Sequence, residues 1–223
     1  MSVWPAIWLT AQLAFVTTVL LLAISLPLAW WLTTTRSRVR PFVEAVTTLP
    51  LVLPPTVLGF YLLILLSPSS AFGGFWLSVT GQSLTFSFTG LVIASLIYSL
   101  PFAVQPLQTA FASVPSATID AARTLGASPR DAFLTISLPL ARRGFLTAAV
   151  LTFAHTVGEF GVVLMVGGNI PGRTRVISIE IFTAVETLDY ATAHALSLGL
   201  LAFSFGVLLL VYAFNRRGGV RVA

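Results

Sequence analysis

A glutamate and a histidine inside one long apolar run are the side chains best suited to chemistry in this sequence. Glu159 follows His155 by four residues, so both would lie on one face of a helix. An ionisable residue within a membrane span is costly and is therefore a candidate for function. The two could relay protons, whereas two ligands alone make a poor metal site. The alternative is a buried structural pair, or a contact to another helix or to a second subunit.

Two arginines form a second candidate site, at an outer mouth. Arg173 and Arg175 follow the turn sequence NIPG and precede VISIEIFTAVE, in which apolar residues recur at helical spacing. Arginine suits an oxyanion, or a carboxylate on a protein that delivers one. Ordinary surface charge is the alternative for both residues. We expect a short helix after them whose apolar face comprises Ile177, Ile181, Phe182 and Val185.

No arrangement for hydrolysis accompanies these residues. The two histidines fall in different apolar runs, and the carboxylates are scattered. The sequence has no lysine, which excludes a P-loop because that loop needs its lysine to reach the phosphates. It has no cysteine, which excludes disulfides and thiolate metal sites. We therefore expect a protein that is not an enzyme, that holds no metal or cofactor, and that relies on another chain for any use of ATP.

The composition indicates a protein whose solvent is largely a membrane. Of the 223 residues, 57% are hydrophobic and 9% are charged, and the mean hydropathy is +0.96. Soluble domains carry about 25% charged residues. We predict an all-α integral membrane protein with a single transmembrane domain over residues 1–223, and no internal repeat of the kind common in secondary transporters. Five apolar runs are long enough to cross a bilayer as helices: 7–33, 43–66, 84–112, 144–166 and 190–214.

The arginines predict how these spans are oriented. Ten of the twelve follow the first, third or fifth run, on mutually consistent sides, and the positive-inside rule places those sides in the cytoplasm. The N-terminus is then outside and the C-terminus is cytoplasmic. The arginines form no stripe with interleaved aromatic residues, so nucleic-acid binding is not expected. The ten are Arg36, Arg38, Arg40, Arg123, Arg130, Arg142, Arg143, Arg216, Arg217 and Arg221.

Prolines interrupt the first three runs. Proline removes a backbone donor and kinks a helix, and in a bilayer the freed carbonyls need partners in protein or in a water-lined cavity. One interpretation is that the kinks serve packing. The other is that LPLVLPPTVLGF helps to shape a translocation path or gate, to which we assign Pro54, Pro55, Glu159 and Phe160. The remaining interrupting prolines are Pro27, Pro50, Pro101 and Pro106.

The loop 114–143 is unusually polar for this chain and contains its own helix signals. Residues 120–142 hold five of the nineteen charged residues. SATIDAARTLG predicts a short helix that Gly126 ends in a left-handed conformation. A second helix begins at SPRD, with Ser128 as N-cap, Pro129 in the first position and Asp131 completing a capping box. Pro139 ends that pattern. The apolar face of the second helix comprises Ala132, Phe133 and Ile136.

Helices this short are marginal in water unless something holds them. The apolar face of the second helix therefore indicates a protein partner at the cytoplasmic surface. The alternative is a helix that rests on the bilayer. Such helices are usually rich in basic residues, whereas here Arg130 and Asp131 offset each other, so we favour the protein partner.

The segment DAARTLGASPRDAFLTISLP resembles the EAA loop of permease subunits of binding-protein-dependent ABC importers. The family pattern is Glu-Ala-Ala, a glycine four residues after the second alanine, and Ile-x-Leu-Pro, which here begins ten residues beyond Gly126. The sequence departs from this pattern at Asp120, which keeps the carboxylate. The resemblance implies a coupling helix that fits into a groove on a separate ATPase subunit. The residues assigned to that contact are Asp120, Ala121, Ala122, Gly126, Ser128, Pro129, Arg130, Asp131, Phe133, Ile136, Leu138 and Pro139.

The resemblance covers most of residues 49–186. The stretches LPLVLPPTVLGFYLL, HTVGEFGVVLMVGGNIPGRTR and VISIEIFTAVE are similar to permeases of molybdate importers, and sulfate and tungstate permeases share parts of them. The resemblance implies a second copy of the chain, two ATP-binding subunits, a periplasmic or lipid-anchored oxyanion-binding protein, and a place in the cell inner membrane. A secondary transporter or channel that works without an ATPase is the alternative from another class.

Overall fold

The computed structural model describes residues 3–216, with side chains up to residue 213, and every regular element in this range is helical. The predicted all-α class is therefore confirmed. Of the arginines assigned to the cytoplasmic side, Arg217 and Arg221 lie outside this range, and Arg216 is described by its backbone only. The helices are α1 (Trp4–Thr34), α2 (Arg40–Val52), α3 (Pro55–Leu66), α4 (Ala71–Thr80), α5 (Phe88–Tyr98), α6 (Leu100–Ala112), α7 (Ser116–Thr124), α8 (Pro129–Ala132), a π-helical turn (Phe133–Ser137), α9 (Leu138–Leu140), α10 (Arg142–Gly158), α11 (Gly161–Gly167), α12 (Ile177–Glu186) and α13 (Tyr190–Arg216).

Bends divide three of the predicted spans into shorter helices. By length and composition α1 and α13 can each cross a membrane, and up to five spans result if each bent pair of helices counts as one. The axes of α2 and α3 meet at 113°, and those of α5 and α6 at 41°. The run 144–166 is not one helix, because α10 ends at Gly158 and α11 begins at Gly161. The third bent pair instead joins residues 129–140 to α10 at 69°.

Prolines accompany two of the breaks but not the third. Pro54 caps the start of α3, and Pro101 lies in the first turn of α6. Between α10 and α11 there is no proline, yet Glu159 is extended (φ −68°, ψ 134°) and Phe160 also leaves the helix (φ −128°, ψ −56°). Three other prolines lie inside continuous helices: Pro27, Pro50 and Pro106.

The centre of the bundle is formed by α1, α6 and α10, which pack against one another. Near the start of α1, Leu13 packs with buried side chains of α5, α11 and α12. Near its end, Leu32 packs with buried side chains of α6 and α10. The helices α6 and α10 approach closely because Gly144 faces Ala110, where an added Cβ would lie 2.1 Å from the alanine Cβ. By contrast, α13 exposes almost all of its apolar surface.

The two groups of arginines lie at opposite ends of α1. At its C-terminal end, Thr34 and Arg123 line the same cavity, so the loop 114–143 lies beside that end. At its N-terminal end, Thr10 Oγ1 accepts the backbone N–H of Ile177 at 2.8 Å, which brings the start of α12 there.

Candidate functional site

The first half of the loop 114–143 folds as the sequence predicts. After α7, Gly126 adopts φ +90°, a left-handed conformation that glycine takes without steric cost. The N–H of Gly126 donates to the carbonyl of Arg123 at 3.0 Å, and the N–H of Ala127 donates to the carbonyl of Ala122 at 3.0 Å. Together these bonds form the Schellman motif, which ends a helix with its last carbonyls satisfied.

Ser128 and Asp131 form the predicted capping box at the start of α8. Ser128 Oγ accepts the N–H of Asp131 at 3.2 Å, while Asp131 Oδ2 accepts the Ser128 hydroxyl at 2.6 Å and the Ser128 N–H at 3.2 Å. The two bonds from Ser128, that from its hydroxyl foremost, lower the pKa of Asp131 below its ordinary value. Because the pKa is lowered, the stabilisation by this cap is complete at neutral pH and is lost only as the pH falls through the lowered pKa.

The second helix does not end at Pro139, which corrects the sequence prediction. The chain widens into the π-helical turn, where the N–H of Leu138 reaches the carbonyl of Phe133 five residues earlier, and continues through Pro139 into α9. Proline lacks an N–H, and its ring would clash with the carbonyl four residues before it in an α-helix. A wider turn removes that conflict. The direction changes only at Ala141, where α10 begins.

The apolar face that was expected to meet another protein is largely covered by the chain itself. Ala132 is buried, and the ring centroid of Phe133 lies 5.0 Å from that of Trp30 in α1 and 5.9 Å from that of Phe111 in α6. Ile136 is half-buried. Two aromatic side chains of the same chain thus cover Phe133 in part, and the contact of this face with another protein stays a prediction.

The exposed tip of the loop centres on a residue that the sequence analysis did not single out. Leu125 is 89% exposed, and Gly126, Pro129 and Arg130 beside it are exposed as well. The available signal was a leucine directly before the helix-ending glycine of a polar segment. An exposed leucine between two capped helix ends is suited to contact with another protein. We call residues 125–130 the loop tip.

The other residues assigned to the loop contact lie on both sides of it. Asp120 and Ala121 are exposed, and the Asp120 carboxylate lies 3.5 Å from the guanidinium of Arg123, an exposed ion pair that contributes little. Pro139 is exposed, whereas Ala122 and Leu138 are half-buried. The structure therefore does not gather the assigned residues on one accessible surface.

Glu159 lies at the break between α10 and α11 and satisfies the backbone groups there. Its side chain is buried, and Oε1 accepts the N–H of Val162 at 2.9 Å. Its carbonyl accepts the hydroxyl of Ser178 in α12 at 2.5 Å, a contact that the sequence analysis did not anticipate. A helix break in a bilayer needs partners of this kind, so the carboxylate acts as a cap for α11.

His155 forms neither a hydrogen bond nor an ion pair with Glu159 in the described part of the chain. Because α10 ends before Glu159, the spacing of four residues does not place both on one helical face. The imidazole instead stacks between Tyr98 and Phe102, with ring centroids 4.9 and 3.8 Å away. Its Nδ1 lies 3.0 Å from the hydroxyl oxygen of Ser99. His155 therefore supports the bend between α5 and α6.

The three helix breaks lie next to one another. A Cβ added at Gly161 would lie 2.7 Å from the Cβ of Pro55, so the start of α11 is in close contact with the start of α3. At the bend between α5 and α6, Ser99 Oγ lies 3.2 Å from Thr156 Oγ1, near the end of α10. Non-helical backbone of this kind is tolerated at membrane depth only where protein or a water-lined cavity surrounds it.

The four residues assigned to a path or gate divide into exposed and inward-facing pairs. Pro54 and Pro55 are exposed on this chain. Glu159 is buried and Phe160 is half-buried, with its ring 5.0 Å from that of Phe182 in α12. The structure therefore places all four at two adjoining breaks, where Pro55, although exposed, also lies against Gly161 of α11.

Arg175 and Arg173 have different surroundings. Arg175 donates from Nε to Asn169 Oδ1 at 2.5 Å, and its Nη1 lies 3.4 Å from Glu180 Oε2. The side chains of this ion pair are only 17% and 18% exposed, so it belongs to the fold of the turn. Arg173 is exposed and forms no ion pair within residues 3–213. Of the two arginines, only Arg173 is free to meet a molecule from outside.

The helix predicted after these arginines is present as α12, but its buried face differs from the prediction. Ile179 and Ala184 are buried, whereas Phe182 and Val185 are exposed. The reason is that α12 packs on α13 on one side and on the start of α1 on the other. A single helical face inferred from apolar spacing does not capture two such contacts.

The family, relatives and solved structures that this chain resembles all belong to transport systems. The family described as "Binding-protein-dependent transport system inner membrane component" matches residues 24–218. The molybdenum transport system permease protein ModB of Azotobacter vinelandii is 54% identical over 211 residues, which cover 95% of this chain and 93% of that protein. The sulfate transport system permease protein CysT of Escherichia coli (strain K12) is 32% identical over 209 residues, covering 94% and 75%. The crystal structure of a bacterial ABC transporter involved in the import of alginate shares the fold, with a TM-score of 0.76 at 19% identity over 96% of this chain and 79% of that chain.

Replacing Glu159 by leucine is expected to weaken the break between α10 and α11. The buried N–H of Val162 would lose its acceptor, which costs about 1–3 kcal/mol. Glu159→Gln keeps an oxygen in place and serves as the matched control. Thermal unfolding in detergent and amide hydrogen exchange at Val162 measure the effect. The capping role would be contradicted if the Glu159→Leu and Glu159→Gln proteins had the same melting temperature and the same rate of amide hydrogen exchange at Val162.

Proposed function

Because the chain belongs to the binding-protein-dependent transport system inner membrane component family, we propose that it is the membrane-spanning permease subunit of an ABC importer. The observation that carries this proposal is its 54% identity to a molybdenum permease along nearly the full length of both chains. The chain is then an inner-membrane transport subunit and leaves ATP hydrolysis to another polypeptide. The absence of lysine, which a P-loop requires, supports that division of labour.

Molybdate is the proposed cargo. Identity to the molybdenum permease (54%) exceeds identity to the sulfate permease (32%) over a similar share of this chain. Molybdate, tungstate and sulfate are all tetrahedral dianions, so a passage suited to one has little means to reject the others. Selection among them then lies largely in a soluble oxyanion-binding protein, which accords with the few charges in the spans of this chain.

The loop tip (residues 125–130) is the proposed contact with the ATPase. It presents Leu125 and Arg130 between two capped helix ends, so its shape is set before a partner binds. Two copies of the chain would present two tips to two ATP-binding subunits. ATP-driven closure of those subunits draws the tips together and opens the outward side, and hydrolysis resets the path to inward-facing.

The adjoining helix breaks are proposed to border the translocation path. Pro54 and Pro55 are exposed on this chain and accessible to a second copy of it. Glu159 maintains the break as a cap and does not relay protons. Uptake by Glu159→Gln protein should therefore persist and should not depend on a proton gradient.

The proposed orientation has the N-terminus outside and the loop 114–143 in the cytoplasm. The arginine-rich end of α1 and the basic residues of the loop lie together, and Arg173 and Arg175 lie at the other end. The positive-inside rule then assigns the first end to the cytoplasm. In this orientation Arg173 faces the binding protein at the outer mouth.

Neutralising the two outer arginines should separate their roles. Arg173→Gln should raise the binding-protein concentration that half-maximally stimulates ATPase activity by about two- to fivefold, the effect of one exposed charge pair. Arg175→Gln should instead lower the melting temperature, because it leaves the mostly buried Glu180 carboxylate without its partner. An Arg173→Gln transporter whose ATPase activity is stimulated by the binding protein as in the wild type, at low salt, would contradict a docking role for Arg173.

Co-purification and uptake test the function as a whole. The chain, expressed with the ATP-binding and binding-protein subunits, should bring the ATPase with it in detergent. In proteoliposomes it should take up labelled molybdate only with ATP inside and the binding protein outside. Competition by tungstate and sulfate then ranks the anions. Uptake without an ATPase would instead establish a secondary transporter or channel, and sulfate uptake without molybdate uptake would overturn the proposed cargo.

A further inference from the structure

The two halves of the loop 114–143 are attached to the bundle in different ways. The first half, α7, has no buried residue, and its contacts are mainly with α8 and the π-helical turn. Between α7 and the bundle lies a cavity of about 310 Å³ lined by Trp30, Thr34, Phe111, Ile119 and others. Because α7 has little direct packing contact with α1 or α6, a movement of α7 cannot pass to these helices directly.

The second half is packed firmly against the same helices. Ala132 and Ser137 are each 3% exposed, and Phe133 between them lies on the apolar cluster formed by α1, α6 and α10. Its ring contacts Trp30 of α1 and Phe111 of α6, with centroids 5.0 and 5.9 Å away. Aromatic rings at these separations pack with defined relative orientation. We call these three side chains the aromatic joint.

We infer that Phe133 is the positioning residue that passes movement of the loop tip into α1 and α6. This inference rests on the proposed function. The loop also packs on α6 through α9, and the chain itself enters and leaves the loop at single crossings, at 113–115 between α6 and α7 and at Ala141, where the axis turns by 69° before α10. A single bent crossing resists little sideways motion. The aromatic joint spans 103 residues of sequence and braces the loop against both helices at once.

The neighbouring residue provides a matched control. Leu134 lies in the same π-helical turn and is 47% exposed, and it makes none of the aromatic contacts of Phe133. Truncation of either side chain removes an apolar group from the same turn. Only Phe133→Ala removes the ring contacts to Trp30 of α1 and Phe111 of α6.

The first experiment uses the complete transporter in proteoliposomes and measures the ratio of stimulated to basal ATPase activity with molybdate-loaded binding protein. Phe133→Ala and Trp30→Ala should each lower this ratio about tenfold, within the 5–150-fold range of allosteric coupling. The double variant should be no worse than the worse single variant, because both remove one contact. Leu134→Ala should behave as wild type. Equal ratios for Phe133→Ala and Leu134→Ala, or losses that multiply in the double variant, overturn the inference.

A second experiment compares the same protein before and after a cross-link is cleaved, so a misfolded variant cannot produce the expected result. The chain has no cysteine, so Trp30→Cys with Phe133→Cys introduces one pair that a short cleavable thiol cross-linker can bridge. The bridged transporter should regain at least half of the wild-type stimulation, and cleavage of the linker should abolish it. Equal stimulation before and after cleavage, or a pair that no linker bridges, overturns the inference. Failure of the proposed function is distinguishable from failure of this inference, because the ATPase activity of the wild-type complex itself would then show no stimulation by the binding protein.

Discussion

A bilayer offers no water to backbone N–H and C=O groups, and this constraint decides where the chain can leave the helical state. The break between α10 and α11 exists because Glu159 accepts the N–H of Val162 and Ser178 donates to the carbonyl of Glu159. The bend between α5 and α6 is supported by Ser99, His155 and the rings around them. Glu159 and His155 thus maintain two of the breaks between helices, and these breaks adjoin the third at Pro55.

The tip of the loop 114–143 follows the opposite logic, because it lies outside the apolar bundle and must keep its shape with local bonds. A Schellman motif ends α7, and a capping box starts α8 after an interval of four residues. The chain therefore turns sharply at Gly126 and Ser128. These caps present Leu125 to solvent. The aromatic joint then ties this shape to the bundle. A rigid tip on a braced stem suits the proposed contact with a separate ATP-binding subunit.

What the sequence predicted correctly depends on neighbours within a few residues. The caps at Gly126 and Ser128, the helix α12 and the all-helical class are local consequences of residue type, and the family predicted from the loop motif is confirmed by the comparisons. Contacts between distant segments could not be predicted. Trp30 covers Phe133 from 103 residues away, and Ser178 completes the Glu159 cap from 19 residues away. Without a proline to mark it, the break at Glu159 looked like the middle of an apolar span.

We propose that the loop tip, and not the apolar face behind it, meets a separate ATP-binding subunit. Because the chain lacks cysteine, a single cysteine at position 125 can carry a photoactivatable cross-linker in the assembled transporter. Leu125→Cys should cross-link to the ATP-binding subunit, whereas Phe133→Cys, facing Trp30, should not. Cross-links from position 133 but none from position 125 would contradict it.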